Sequence, residues 1–169
     1  ADTRNHAIRA VDLVAGTVTT IAGTGRQLER FPQDDTPARD ASMASPWGVW
    51  LADGRLFISM AGVHQIWALD LAEQIISVFA GTSREGIDDG ARRTMATLAQ
   101  PSGIVSDGQF VYWVDPESSS VRLVPIHGAN GEVSTIVGTG LFDFGDADGI
   151  GENAQLEQPQ GLAIHEDGL

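Results

Sequence analysis

"IAGTG" (21–25) recurs in this chain as "FAGTS" (79–83) and "IVGTG" (136–140), and the recurrence indicates a repeat architecture. The first glycines of the three copies lie 58 and 57 residues apart, at Gly23, Gly81 and Gly138. A second motif follows each copy in the same order, as "SPWGV" (45–49), "QPSGI" (100–104) and "QPQGL" (158–162), with its prolines at Pro46, Pro101 and Pro159. Motifs that return three times in register indicate tandem repeats of about 57 residues.

Each repeat contains four short segments with the composition of β-strands. In the middle copy these segments are 47–52, 55–60, 66–71 and 75–81, separated by turn residues. Asn130-Gly131 lies between the last two segments of the third copy and predicts a tight hairpin turn there. Four antiparallel strands per tandem repeat predict an all-β chain of three four-stranded β-propeller blades. The units are roughly 1–46, 47–101 and 102–158, with 159–169 as the first strand of a further blade.

The repeated small residues have a physical interpretation. A proline at a strand entrance costs no ladder donor, and glycines on the first strand, at Gly48, Gly103 and Gly161, let neighbouring backbones approach closely. An Ala-x-Met/Leu element precedes each proline, and we expect it to form a helical turn that fills the gap between blades. Its members are Ala41 with Met43, Ala96 with Leu98, and Ala154 with Leu156.

The alignment of the repeats suggests how a ring closes. It places Ala1 opposite Ser59 and Val114, inside a second strand, while 161–169 is a first strand plus a turn at Gly168. We therefore expect the three blades to be completed either by a second copy in a two-fold homodimer or by further blades of a longer chain.

Composition restricts the partners. The formal net charge is −13 and the chain has no lysine, so nucleic acid and anionic membranes are not expected partners. Cysteine is absent, which excludes disulfides, thiolate zinc sites and cysteine nucleophiles within these residues. Neither property identifies a cellular compartment.

The first copy resembles a known repeat. In "ADTRNHAIRAVDL" (1–13) with "GTVTTIAGTG" (16–25), Asn5 and His6 match the first two letters of the NHL motif, named for Asn-His-Leu. The spacing of "AGTG" and "AxLxxPxGL" is most similar to the propellers of thioredoxin-like proteins with NHL repeats. The resemblance implies a six-bladed ring, of which this chain is half. It also implies a non-enzymatic binding or scaffolding role for protein or peptide partners, with any redox chemistry in another domain.

The Asp-x-x-Asn-His pattern is complete only in the first copy. The second copy has Met60, Val63 and His64, and the third has Asp115, Ser118 and Ser119. We interpret Asp2 and Asn5 as turn-stabilising acceptors and His6 and His64 as structural residues. Arg9 and Arg122 lie at matched positions, where we expect them to pair with carboxylates of a neighbouring blade.

Long loops connect the repeats at 26–45, 83–100 and 141–158. In a propeller, loops at this place emerge on the same face as the turn between second and third strands, which here holds Asn5-His6. Binding residues concentrate on loops held by a rigid scaffold, so this face is the candidate binding surface. The candidate binding residues of this face are Asn5, His6, His64, Asp143, Asp146, Asp148 and Glu152. Calcium at Asp146, Asp148 and Glu152 is an alternative, but Phe144 occupies the first ligand position of a calcium loop, so we expect no metal or cofactor.

An enzyme is the rival class. Propellers of the metal-dependent lyase or lactonase type need ligands on their first strands, where this chain offers only His165 and Glu166. His127 follows a third strand and is expected near the rim. No catalytic residue is therefore predicted. Four tryptophans are predicted to lie in the core: Trp47, Trp50, Trp67 and Trp113. The alternative for Trp47 and Trp50 is that they reach the axial channel, where they could stack on a ligand.

Overall fold

The computed structural model describes residues 1–28, 31, 32, 34 and 36–165. These residues form an all-β structure with short 3-10 turns, the first of which is Thr3–Asn5. The strands are β1 (Ile8–Asp12), β2 (Thr17–Ala22), β3 (Thr36–Pro37), β4 (Pro46–Ala52), β5 (Arg55–Met60), β6 (Gln65–Asp70), β7 (Ile75–Ala80), β8 (Gly90–Ala91), β9 (Ile104–Ser106), β10 (Phe110–Asp115), β11 (Ser120–Pro125) and β12 (Glu132–Val137). No helix among the described residues has the length and apolarity needed to span a membrane.

The strands form antiparallel sheets that repeat one design. One sheet has the order β3-β7-β6-β5-β4, another has the order β8-β12-β11-β10-β9, and β1 pairs with β2. The pairs β1–β2, β6–β7 and β11–β12 are the third and fourth strands of the three repeats. Each pair has a register shift, which follows Ile8, Ile66 and Val121. The glycine of each "AGTG"-type motif lies beside this bulge. A Cβ at Gly23 or Gly81 would lie 2.5 Å from the carbonyl oxygen of His6 or His64, so only glycine fits.

The first strands of successive sheets approach one another at glycine, as the sequence predicted. A Cβ on Gly48 would collide with the carbonyl oxygen of Ser102, and one on Gly103 would lie 2.6 Å from the Cα of Gly161. The Gly103 amide also donates to the carbonyl oxygen of Gln160 at 3.0 Å. The missing side chains therefore allow direct backbone contact between neighbouring sheets.

The core lies between the sheets and depends on the element before each proline. Met43 and Leu98 are fully buried, Met43 in a cluster with Ile8 and Trp67, Leu98 in a cluster with Phe57 and Trp113. The predicted helical turn is wrong at these residues. Met43 forms a parallel bridge with Gln27, Leu98 one with Glu85, and Ala41 is extended. An extended chain here satisfies backbone groups of the long loop while its side chains fill the gap.

The hairpin between β11 and β12 also differs from expectation. Residues 126–131 separate the two strands, so Asn130-Gly131 is the end of a six-residue connection and not a tight turn. Gly128, at φ 88°, supplies the left-handed residue of this connection.

Candidate functional site

The turns between second and third strands have one geometry in all three repeats. His6, His64 and Ser119 end these turns in the left-handed conformation, at φ 46°, 53° and 45°. Each side chain accepts a hydrogen bond from a backbone amide that precedes a repeat proline. The donors are Ser45 to His6 Nδ1 at 3.4 Å, Gln100 to His64 Nδ1 at 3.2 Å, and Gln158 to Ser119 Oγ at 3.0 Å. This common acceptor role explains why serine can replace histidine in the third copy.

Asn5 and Asp2 stabilise the first turn, with one change to the expected roles. Asn5 is the donor, and its amide contacts both carboxylate oxygens of Asp2 at 3.0 Å. The Asn5 amide, and after it the Arg9 guanidinium, hold the pKa of Asp2 below its usual range. The carboxylate is therefore kept charged at the start of the turn.

The same hydrogen bonds bring the long loops to these turns. Ser45, Gln100 and Gln158 are the last residues of the three long loops, directly before the repeat prolines, and all three have positive φ. The Thr3 hydroxyl adds a bond to the carbonyl oxygen of Pro46 at 2.7 Å. Loop ends and turns therefore lie side by side.

Trp47 is exposed at this junction, contrary to the core prediction. Trp67 and Trp113 are completely buried and Trp50 packs against the core, but Trp47 is 41% exposed. It separates two hollows of about 290 Å³ each. One hollow is lined by Ser45, Ala61, Gly62, His64 and Gln100, and the other by Thr3, Gly48, Ser102, Gly103 and Gln160. Neither lining contains an aspartate, glutamate, lysine or arginine. An exposed indole between two such concave surfaces is suited to binding a side chain.

The acidic loop 141–158 does not gather its carboxylates. Asp143 accepts a hydrogen bond from Thr139, and Asp146, Asp148 and Glu152 are exposed. Among the residues that the structure describes, no three histidine or carboxylate side chains are grouped so that they could hold a metal ion. Loop 141–158 is thus a surface of dispersed negative charge.

Arg122 lies at the centre of a buried polar network. One guanidinium nitrogen, Nη1, donates to the Asp115 carboxylate at 3.3 Å and to the carbonyl oxygen of Thr97 at 2.9 Å. The other, Nη2, donates to Asp89 at 2.9 Å and to the carbonyl oxygen of Asp88 at 3.0 Å. Complete burial raises the pKa of Asp115 to about 6, although the Arg122 charge opposes this rise.

The partners of the two arginines correct the sequence prediction. Arg9 pairs with Asp2 at 3.2 Å and Arg122 with Asp115, each within its own sheet and not across to a neighbouring blade. Asp89 precedes β8, which belongs to the same sheet as Arg122. Residues of the loop thus bond to the sheet that the loop leads into.

The remaining histidines lie apart from this junction. The His127 side chain is 68% exposed and its Nδ1 lies 3.8 Å from Asp53. It borders a hollow of about 650 Å³ around the β11–β12 connection. His165 follows "QPQGL" (158–162), the third copy of the proline motif. Glu166, Gly168 and Leu169 lie outside the described residues, as does the rest of the predicted turn.

Comparisons with known proteins identify relatives. No family model matches the chain. NHL repeat-containing protein 2 from Gallus gallus is 35% identical over 191 residues, which cover 96% of this chain and 26% of that protein. Protein SUPPRESSOR OF QUENCHING 1, chloroplastic, from Arabidopsis thaliana is 34% identical over 176 residues, 99% of this chain and 17% of that protein. A structural genomics protein of unknown function from Bacteroides thetaiotaomicron superposes with a TM-score of 0.69 at 21% identity, over 94% of this chain and 37% of that chain.

These comparisons confirm the resemblance to NHL-repeat proteins and the all-β propeller type of fold. The chain spans about a quarter or less of the length of these two curated relatives. The unit boundaries and the six-bladed ring stay predictions.

Proposed function

We propose that this chain, a homologue of NHL repeat-containing proteins with their propeller type of fold, is a binding module for an extended, arginine-containing peptide segment. The observation that supports this proposal is the 41% exposure of Trp47 between two hollows at the inner ends of the loops. Tryptophan is otherwise a core residue here, as Trp67 and Trp113 show.

The surroundings of Trp47 suit a peptide backbone. The side-chain amides of Gln100 and Gln160 border the two hollows, and such amides can both donate to and accept from peptide groups. Ser45 and Ser102 supply further polar atoms beside the indole. These groups would orient a chain without demanding one sequence.

The negative charge of the chain favours a basic peptide as the ligand. The chain has a net charge of −13, and Glu117 accepts a hydrogen bond from Gln100 at the edge of one hollow. A guanidinium stacks favourably on an indole face, with about 0.5–2 kcal/mol of stabilisation. The acidic surface would also accelerate the approach of a basic partner.

Assembly completes the proposal. The ring is closed by a second copy of the chain or by further repeats in a longer parent protein, and the greater length of the relatives favours more blades in such a parent. Any redox chemistry would lie in those other parts, as the resemblance to thioredoxin-like NHL proteins implies.

A peptide array tests this function. Labelled chain is applied to random peptides of about twelve residues, in which each arginine-containing peptide has a counterpart with glutamate in place of arginine. We expect signal on the arginine set, and we expect Trp47→Ala to abolish it. Leu51→Ala is the matched control, because Leu51 is exposed on the same strand but lines neither hollow. Equal signal on both peptide sets would overturn the proposed specificity.

A further inference from the structure

Glu117 is a carboxylate at the edge of the hollow that lies between Trp47 and His64. The residues that line this hollow contribute no carboxylate and no guanidinium. Gln100 is one of them, and its side-chain amide donates to Glu117 Oε1 at 3.2 Å. Glu117 therefore supplies negative charge in direct contact with a lining residue of the hollow.

The repeat brings Glu117 to this place. Gly62 is the middle residue of the 3-10 turn Ala61–Val63 and lines the hollow, and Glu117 is the middle residue of the equivalent turn Pro116–Ser118. Gln100 joins the two turns. Its backbone amide donates to His64 Nδ1 at 3.2 Å, and its side-chain amide donates to Glu117. Glycine in one repeat thus leaves the hollow open, and glutamate in the next repeat places a charge beside it.

The backbone of Glu117 is held firmly, while its carboxylate retains acceptor capacity. Pro116 fixes φ at the start of the turn, and the carbonyl oxygen of Glu117 accepts a hydrogen bond from the Phe142 amide at 2.8 Å. Within the described residues, Glu117 forms no ion pair, and it is only half-buried. A carboxylate offers about four acceptor positions, so the bond from Gln100 leaves others for a ligand.

A guanidinium suits an indole and a carboxylate at the same time. Its flat face stacks on an aromatic ring, and its N–H groups point outward in the plane of the guanidinium. An arginine side chain stacked on Trp47 therefore keeps its donors available for a carboxylate beside the ring. Hydrogen bonds between two charged groups are roughly twice as strong as those between neutral groups, which makes such a contact selective for arginine.

We propose that Glu117 is the specificity-determining residue of this face and accepts hydrogen bonds from the guanidinium of the peptide arginine that stacks on Trp47. Gln100 holds the carboxylate at the edge of the hollow through its side-chain amide. The inference rests on the peptide-binding function proposed above. It assigns the residue that distinguishes arginine from an uncharged side chain of similar shape.

Citrulline tests the contact, because its side chain has nearly the shape of arginine but ends in a neutral urea group. The strongest arginine-containing peptide from the array and its citrulline counterpart are titrated against natural and Glu117→Gln chains. The salt concentration is about 0.15 M, at which exposed charges more than about 8 Å apart are largely screened. We expect the natural chain to bind the arginine peptide at least tenfold more tightly than the citrulline peptide. Glu117→Gln retains an acceptor for Gln100 and should bind the two peptides about equally.

Glu132→Gln is the matched control for the loss of one negative charge. Glu132 is exposed and begins β12, whereas the turn Pro116–Ser118 adjoins the start of β11, which pairs with the end of β12. The two glutamates thus lie at opposite ends of the same sheet. We expect Glu132→Gln to keep the full preference for arginine over citrulline, and circular dichroism verifies that both variants fold.

Trp47→Ala separates the possible failures. If Trp47→Ala weakens binding but Glu117→Gln keeps the full preference for arginine over citrulline, the role of Glu117 is wrong and the proposed function stands. An equal loss of preference in Glu117→Gln and Glu132→Gln would also overturn the inference, because the preference would then follow net charge alone. If Trp47→Ala binds the arginine peptide as tightly as the natural chain does, the binding face itself is wrong and the inference fails with it.

Discussion

Arg9 and Arg122 occupy the same ladder position in two sheets, opposite Thr20 and Thr135, yet only Arg122 is buried. The difference in burial between the two arginines comes from the long loop that leads into the Arg122 sheet. Residues 88–97 cover Arg122 and supply the carboxylate of Asp89 and two carbonyl oxygens. The arginine at this repeat position thus holds a loop to the sheet from a buried site in one repeat and is accessible to solvent in another.

This difference predicts unequal effects of one substitution. Arg122→Met removes the partner of a fully buried carboxylate, and we expect it to lower the free energy of unfolding by about 3–5 kcal/mol. Arg9→Met breaks only an exposed pair, so its cost should stay below about 1 kcal/mol. Urea denaturation of both variants measures the two values. Similar losses of unfolding free energy for both variants would show that Arg122 does not hold loop 88–97 on the sheet.

Asp115 predicts a pH dependence. Its pKa is about 6 in the folded chain and near 3.8 in the unfolded chain, so the folded state binds the proton more tightly. The resulting stabilisation is complete below about pH 4 and is lost as the pH rises through 6, by roughly 3 kcal/mol. Asp115→Asn cannot ionise. We therefore expect the unfolding free energy of the natural chain to fall, relative to this variant, between pH 4 and 6.5, and a constant difference across that range would contradict the assignment.

The glycine contact between first strands predicts a steric effect. Gly48→Ala would press a methyl group against the carbonyl oxygen of Ser102, and overpacking of this kind costs about 1–3 kcal/mol. Gly140→Ala is the control, because no atom lies within 4 Å of the Cβ that it would add. Thermal unfolding of the two variants should separate them by several degrees. If Gly48→Ala unfolds like the control, successive first strands do not touch.

The turn that ends at His64 predicts a loss of stability for alanine at this position and a much smaller loss for asparagine. His64→Ala leaves the backbone amide of Gln100 without its acceptor and places alanine at φ 53°. We therefore expect the free energy of unfolding to fall by about 2 kcal/mol. His64→Asn keeps a side-chain acceptor and tolerates left-handed backbone, and most of the stability should return. His127→Ala, at an exposed position, should change stability by less than about 0.5 kcal/mol. Binding of a selected peptide by folded His64→Asn chains then shows whether this turn also serves the binding face.

Repetition made much of the fold predictable. Gly48 and Gly103 recur because their Cβ positions are filled by backbone, and Gly23 and Gly81 recur because a bulge brings a carbonyl oxygen against them. Such restrictions act on single positions, so they remain visible in one sequence. The strands of the middle repeat were equally predictable from their β-branched and aromatic residues.

The missed features depend on contacts between distant segments. β3 and β8 have only two residues each, too few for any alternation of apolar and polar residues. The burial of Arg122 depends on Asp88 and Asp89, more than thirty residues earlier. Trp47 was assigned to the core because aromatic residues usually lie there, and its exposure is set by the way two loop ends meet beside it.

The most direct test of the account is a titration of the strongest arginine-containing peptide from the array against natural, Trp47→Ala and Leu51→Ala chains. We predict that Trp47→Ala weakens the dissociation constant at least tenfold and that Leu51→Ala leaves it unchanged. Undiminished binding by a folded Trp47→Ala chain would contradict the assignment of this face as the peptide site.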